Sequence, residues 1–134
     1  ITFQTLLKER ESWFHMLKVL VCGSRDYEDY DEMEKTLRDH LNSGTIIING
    51  KAPGADQLSS LIAHNHKVHY AEVPAQWNNF GRAAGPLRNA AMLGLEPDLA
   101  FAFYTNYHKS KGTANMVKQL KEAGIRVVEV KNYG

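Results

Sequence analysis

The sequence predicts an α/β domain: a doubly wound, parallel sheet of five strands in the order 3-2-1-4-5, with helices on both faces. Three observations carry this expectation. Short β-branched runs alternate strictly with helical patterns from about residue 16 to residue 131. The runs are continuously apolar, as strands buried on both faces must be. Glycine-bearing turns follow the first, second and fourth runs, which puts them on one edge of a parallel sheet. Alternating strands and helices imply such a sheet, and right-handed crossovers leave few strand orders. The expected order places a switch point between strands 1 and 4, and ligands of such sheets bind outside the carboxyl ends of the strands there.

The elements follow in sequence. Lys18–Cys22 is an apolar run ended by Gly23, and Gly23-Ser24-Arg25-Asp26 is the loop beyond it. From Asp29 to Asn42, Met33, Leu37 and Leu41 fall four apart, the stripe of an amphipathic helix. Gly44 suits its end. Thr45–Ile48 is the second strand. Asn49-Gly50-Lys51-Ala52-Pro53-Gly54-Ala55-Asp56 is a glycine loop that runs into a helix marked by Leu58, Leu61 and Ile62. That helix frays into His64–Lys67. Val68–Val73 is the third strand, and Ala75–Gly81 is read as a loop carrying Trp77 and Phe80. Pro86 opens a helix in its first turn, with Leu87, Ala90, Ala91 and Leu95 expected on its inner face. Asp98–Tyr104 is the fourth strand. A helix starting at Gly112-Thr113 turns Met116, Val117 and Leu120 inward and closes at Gly124. Ile125–Val130 is the fifth strand, and residues 132–134 are tail.

Residues 1–15 read differently: either an appended leader or a short amphipathic helix with Phe3, Leu6, Leu7, Trp13 and Phe14 on its apolar side. The remainder, 16–131, is one domain, large enough to bury a core without metal or disulfides. A net charge of +1 supplies no long-range field toward nucleic acid. The single cysteine makes a disulfide framework impossible and the cytoplasm the default compartment. No apolar run approaches a membrane span.

The loops on the carboxyl edge carry the chemistry. Glycine admits close approach of backbone to a ligand, and the amides of a helix's first turn favour an anion. Gly50 and Gly54 on one side, Gly23, Ser24 and Arg25 on a second, and Ser110, Lys111, Gly112 and Thr113 on a third form an expected cradle for a phosphate-bearing ligand. The dinucleotide pattern Gly-x-Gly-x-x-Gly is absent after strand 1, and Gly50-Lys51 lacks P-loop spacing. His64, His66 and His69 do not share a face, so no metal site is read. Cys22 reads as a small buried hydrophobe, with no base paired to it. Trp77 and Phe80 are either platforms for a stacked base or covers for the sheet edge, and Tyr104 and Tyr107 carry the same ambiguity.

Four stretches carry a resemblance: residues 17–26 (LKVLVCGSRD), 49–56 (NGKAPGAD), 74–92 (PAQW, then GRAAGPLRNAAM) and 110–116 (SKGTANM). In that order they resemble the YspA/YpsA-related branch of the SLOG superfamily, which also holds the Lonely Guy phosphoribohydrolases and DNA-processing protein A. The resemblance implies a Rossmann-like domain that binds nucleotides or molecules derived from them, and a homodimer. Residue by residue it implies ligand contacts at Gly23, Ser24, Arg25, Gly50, Gly54, Ala55 and Asp56, and Lys51 of the same loop is a further candidate contact. It also implies them at Arg82, Arg88, Asn89, Gly112 and Thr113, whereas Lys111 replaces one glycine of the usual Gly-Gly-x-Gly-Thr and is read as part of a basic rim suited to phosphates. Asp56 either caps its helix or receives a ribose hydroxyl. The chain departs from the Lonely Guy pattern after Gly112-Thr113, where Asn115 and Met116 stand in place of a glutamate. Cleaving an N-glycosidic bond develops oxocarbenium character, which a carboxylate stabilises far better than an amide. Asp26, Asp56 and Asn115 remain the candidates for a catalytic group.

These readings favour binding or sensing of a nucleotide-derived small molecule of adenine nucleotide or ADP-ribose type, with no cofactor. Hydrolysis of the N-glycosidic bond of a nucleoside 5′-monophosphate is the alternative, and single-stranded nucleic-acid binding is the second.

Overall fold

The computed structural model describes Thr2, Gln4, residues 16–105 and residues 110–132. The expectation for residues 1–15 therefore falls almost wholly outside the described residues, as does Tyr107. The elements run β1 (Leu17–Gly23), α1 (Tyr30–Leu37), β2 (Thr45–Asn49), α2 (Ala55–Asn65), β3 (His69–Glu72), α3 (Trp77–Phe80), α4 (Ala84–Leu93), β4 (Leu99–Thr105), α5 (Lys111–Glu122) and β5 (Val127–Asn132). All four strand pairings are parallel, and the order is β3-β2-β1-β4-β5, as the sequence predicts.

Alternation along the central strands explains why helices cover both faces. Val19 and Val21 of β1 point to one side, where they pack with Ile47, Phe101 and Phe103 against Met33 and Leu37 of α1 and Ile62 and Ala63 of α2. Leu20 and Cys22 point to the other, where they join Ile46, Ile48, Ala100 and Ala102 against Met92 of α4 and Met116, Val117 and Leu120 of α5. Each fully buried aliphatic side chain of this kind contributes about 1.5–3 kcal/mol through its removal from water. The two cores fix β1 as the innermost strand and hold its carboxyl end, Gly23, at the centre of the sheet edge.

Element ends follow local chemistry. Asp29 Oδ1 accepts the amide of Glu32 and so caps α1, whose regular part ends at Leu37, before a 3₁₀ turn at Arg38–His40. The predicted loop at 75–81 instead contains α3, followed by a 3₁₀ turn at Gly81–Ala83. The inner face of α4 also differs from the expected one. Leu87 is 49% exposed and Ala90 is exposed, whereas Ala84, Gly85, Asn89 and Met92 are buried. Small residues at 84 and 85 let the helix lie close to its neighbours, and a polar side chain, Asn89, occupies the interior position that an apolar stripe would predict for leucine. The helix begins at Ala84, so Pro86 still falls in its first turn, where a missing amide proton costs nothing.

Candidate functional site

The site begins with the loop between β2 and α2. Asn49 is fully buried, and its Nδ2 donates to Ser59 Oγ and Ser60 Oγ at 2.8 Å each. Its Oδ1 accepts the amide of Lys51 at 2.9 Å. Asp56, in the first turn of α2, accepts the amides of Gly50 and Ala52 on Oδ2 at 3.0 and 3.2 Å. The loop's polar side chains therefore organise its own backbone. Asp56 is neither a helix cap, since the cap position is Gly54, nor an open receptor on both oxygens. Gly54 has φ +82°, and a Cβ there would overlap the backbone of Ser24 and Arg25.

The loops after β1 and β4 are tied to this one and to each other. Ser24 O accepts the amide of Ala55 at 3.1 Å, and Ser24 Oγ accepts the amide of Thr105 at 3.2 Å. Ser110 Oγ caps α5 by accepting the amide of Thr113. Thr113 Oγ1 donates to Gly23 O at 2.7 Å. Small and hydroxylated residues are needed because three chain segments converge at this edge.

Between them lies a cavity of about 450 Å³, within the range of small-molecule sites. Gly23 and Arg25 line it from β1, Asp56 from α2, Arg88 and Asn89 from α4, and Lys111, Gly112, Thr113 and Asn115 from α5. Arg82 and Trp77 close its outer side. Four cationic residues, Arg25, Arg82, Arg88 and Lys111, thus share the lining with one carboxylate, Asp56. Arg88 is the part-buried member. Its Nη1 donates to Gly50 O at 2.7 Å and its Nε to Asn89 Oδ1 at 2.8 Å. Asn89 in turn donates to Gly112 O and Asn115 Oδ1. Burial lowers the pKa of Arg88 from its usual value, and the charge of Asp56 opposes that shift.

A family model described as YspA, cpYpsA-related SLOG family matches residues 17–80. The Gene 61 protein of Mycobacterium phage D29 is 31% identical over 127 residues, which cover 89% of this chain and 98% of that protein. The chain belongs to the YspA, cpYpsA-related SLOG family. Among solved structures, the X-ray structure of DNA processing protein A from Streptococcus pneumoniae superposes with a TM-score of 0.55 at 14% identity, over 89% of this chain and 60% of that one. That likeness is one of fold, and this SLOG chain spans little more than half of the neighbour's length.

Set beside the residues that the SLOG resemblance implies, the cavity is selective. Ser24, Gly50, Gly54 and Ala55 build the walls from behind and do not line it. Asp26 faces away, its Oδ1 accepting the hydroxyl of Thr105. Asn115 lines the cavity, but its oxygen is already shared by Asn89 and Gln119 at 3.0 and 2.7 Å. Lys51 and Phe80 line a neighbouring cavity, whereas Trp77 lines this one. Tyr104 is buried in the core, with its hydroxyl donating to Glu129. Cys22 forms part of the floor, and burial pushes its thiol far above the usual range. Residue patterns alone do not single out Ala52, Gly85, Pro86 or Met92, which complete the lining. Gly85 offered the one usable signal, a glycine inside a helix, and a Cβ added there would come within 3.4 Å of the edge of Trp77. Among the described residues no group of three or more His, Cys, Asp or Glu side chains is placed to hold a metal, and no helix is long and apolar enough to cross a membrane.

Asp56 also makes the fold sensitive to pH. Burial raises its carboxyl from 3.8 to about 6, against the pull of the Ala52 amide, Arg88 and the Gly50 amide. A carboxyl with a higher pKa folded than unfolded stabilises the fold when protonated. Its contribution is complete below about pH 4 and is lost as pH rises through about 6. At about 1.4 kcal/mol per unit, this is about 3 kcal/mol. Asp56→Asn is expected to abolish that decline, so urea unfolding of the two proteins from pH 4 to pH 7 checks it. Parallel curves would show that Asp56 does not titrate in this window.

Proposed function

We propose that the chain binds a small nucleotide-derived ligand by its phosphate, in the cavity at the switch point. The observation that carries this reading is the excess of cations in that cavity: Arg25, Arg82, Lys111 and the anchored Arg88 against a single carboxylate. A phosphate dianion matches that charge, and an anchored guanidinium can hold it with parallel hydrogen bonds. Family membership favours the nucleotide class, with adenine nucleotides and ADP-ribose as the first molecules to try. Titration calorimetry with AMP, ADP, ADP-ribose and cyclic nucleotides is expected to give micromolar binding to at least one, weakening as salt rises. No heat from any member of that panel would sink the reading.

One observation favours hydrolysis as a second reading. Asp56 is the one carboxylate among the described lining residues, and its pKa of about 6 suits proton transfer. Release of free base from AMP that disappears in Asp56→Asn would support an N-glycosidic hydrolase. Binding without release leaves the sensing reading.

A further inference from the structure

The neighbouring cavity, about 620 Å³, lies at the carboxyl ends of β2 and β3 and is the larger of the two. Arg88 lines both, so the two cavities share this residue. The second cavity has a different chemistry. Val73, Pro74, Ala84, Leu87 and Ala91 give it apolar walls. Phe80, 51% exposed, also lines it, and so do Thr2 and Gln4 near the start of the chain. Glu72 gives it a carboxylate at the end of β3.

Glu72 is held in place. Ser60 Oγ donates to Glu72 Oε2 at 2.9 Å, and Ser60 Oγ accepts in turn from the buried Asn49 at 2.8 Å. Asn49 also receives the amide of Lys51, which has φ +58°, a conformation unusual for a residue with a side chain. Strained backbone of this kind concentrates at functional positions, and here it belongs to the lysine that lines the cavity beside Arg88. Apolar walls, an aromatic side chain, an anchored acceptor and two cations at the phosphate end are the complement of a nucleoside, not of a second phosphate alone.

We infer that the second cavity is the nucleoside subsite of the ligand whose phosphate occupies the first, with Glu72 accepting the ribose diol, Phe80 stacking on the base, and Arg88 at the join. This rests on the phosphate-binding reading above and names the part of the ligand that reading leaves open. The ligand class is a nucleotide with an intact 2′,3′-diol.

Calorimetry with pyrophosphate, ADP and 2′,3′-dideoxy-ADP tests it. The protein is expected to prefer ADP to the dideoxy compound by about tenfold, the scale of a hydrogen bond to a charged group. Glu72→Ala removes that preference and leaves pyrophosphate affinity unchanged. Phe80→Ala, at an exposed position that folding tolerates, weakens ADP by about tenfold and also leaves pyrophosphate unchanged. If ADP binds no better than pyrophosphate, or if both variants keep the wild-type ADP and dideoxy-ADP affinities, the subsite is overturned while phosphate binding stands. If pyrophosphate and ADP both fail to bind, the two readings fall together.

Discussion

Replacing Arg88 with alanine is expected to lower affinity for ADP about 100-fold, or about 3 kcal/mol. Two losses combine. The guanidinium is the one cation of the cavity anchored by the protein itself, through Gly50 O and Asn89 Oδ1. Arg25, Arg82 and Lys111 are exposed and must give up side-chain freedom to meet a ligand. Arg88→Lys keeps the charge but not the fork, and about a tenfold loss should remain. The change also reaches Asp56, since Arg88 is a cationic neighbour that holds its pKa down. In Arg88→Ala the carboxyl should therefore titrate above the wild-type value of about 6, and the pH window in which stability falls should move upward with it. Calorimetry and the urea series measure these effects separately. Unchanged affinity would remove Arg88 from the site.

The largest expected effect on stability comes from Gly54→Ala. The position has φ +82° and ψ −124°, a region closed to side chains, and a Cβ there meets the carbonyls of Ser24 and Arg25. Backbone cannot move aside as a flexible side chain can, so the loss should reach about 3–4 kcal/mol. Gly124 supplies the control. It has φ +78° but no atom within 4 Å of an added Cβ, so Gly124→Ala should cost only about 1 kcal/mol, the conformational part alone. Equal losses at the two positions would mean that the contact between the first and second loops is not tight.

The strands were legible because burial on both faces leaves an unbroken apolar run, as in Thr45–Ile48, and because each run ends at a helix signal. Strand order followed from handedness and was observed. The face of α4 was not legible: an apolar stripe marks Leu87, but close packing by Ala84 and Gly85 turned the helix until Asn89 faced inward and Leu87 faced solvent. The cations of the site were legible as residue types in loops at the carboxyl edge. What their neighbours do was not. Ser24 reads as a ligand group, yet its hydroxyl holds Thr105, 81 residues away. Asp56 reads as a cap or a receptor, yet it binds the loop that precedes it. Glu72 carried no signal at all, because its fixed position depends on Ser60 and Asn49 from two other elements. Local patterns report which residues are buried; they do not report which partner satisfies a polar group.

The bond from Thr113 to Gly23 spans 90 residues, and that from Thr105 to Ser24 spans 81. The second crosses the seam between β1 and β4 and the first ties α5 to the end of β1, contacts that form only after the intervening helices and strands have been threaded past. Loop-closure entropy makes such a contact slow to form. The floor of the cavity is therefore assembled by strongly non-local contacts, and no fragment ending before β4 contains it. A ligand seated there recognises the completed sheet, so its binding energy is added to the stability of the whole domain and not to that of one loop.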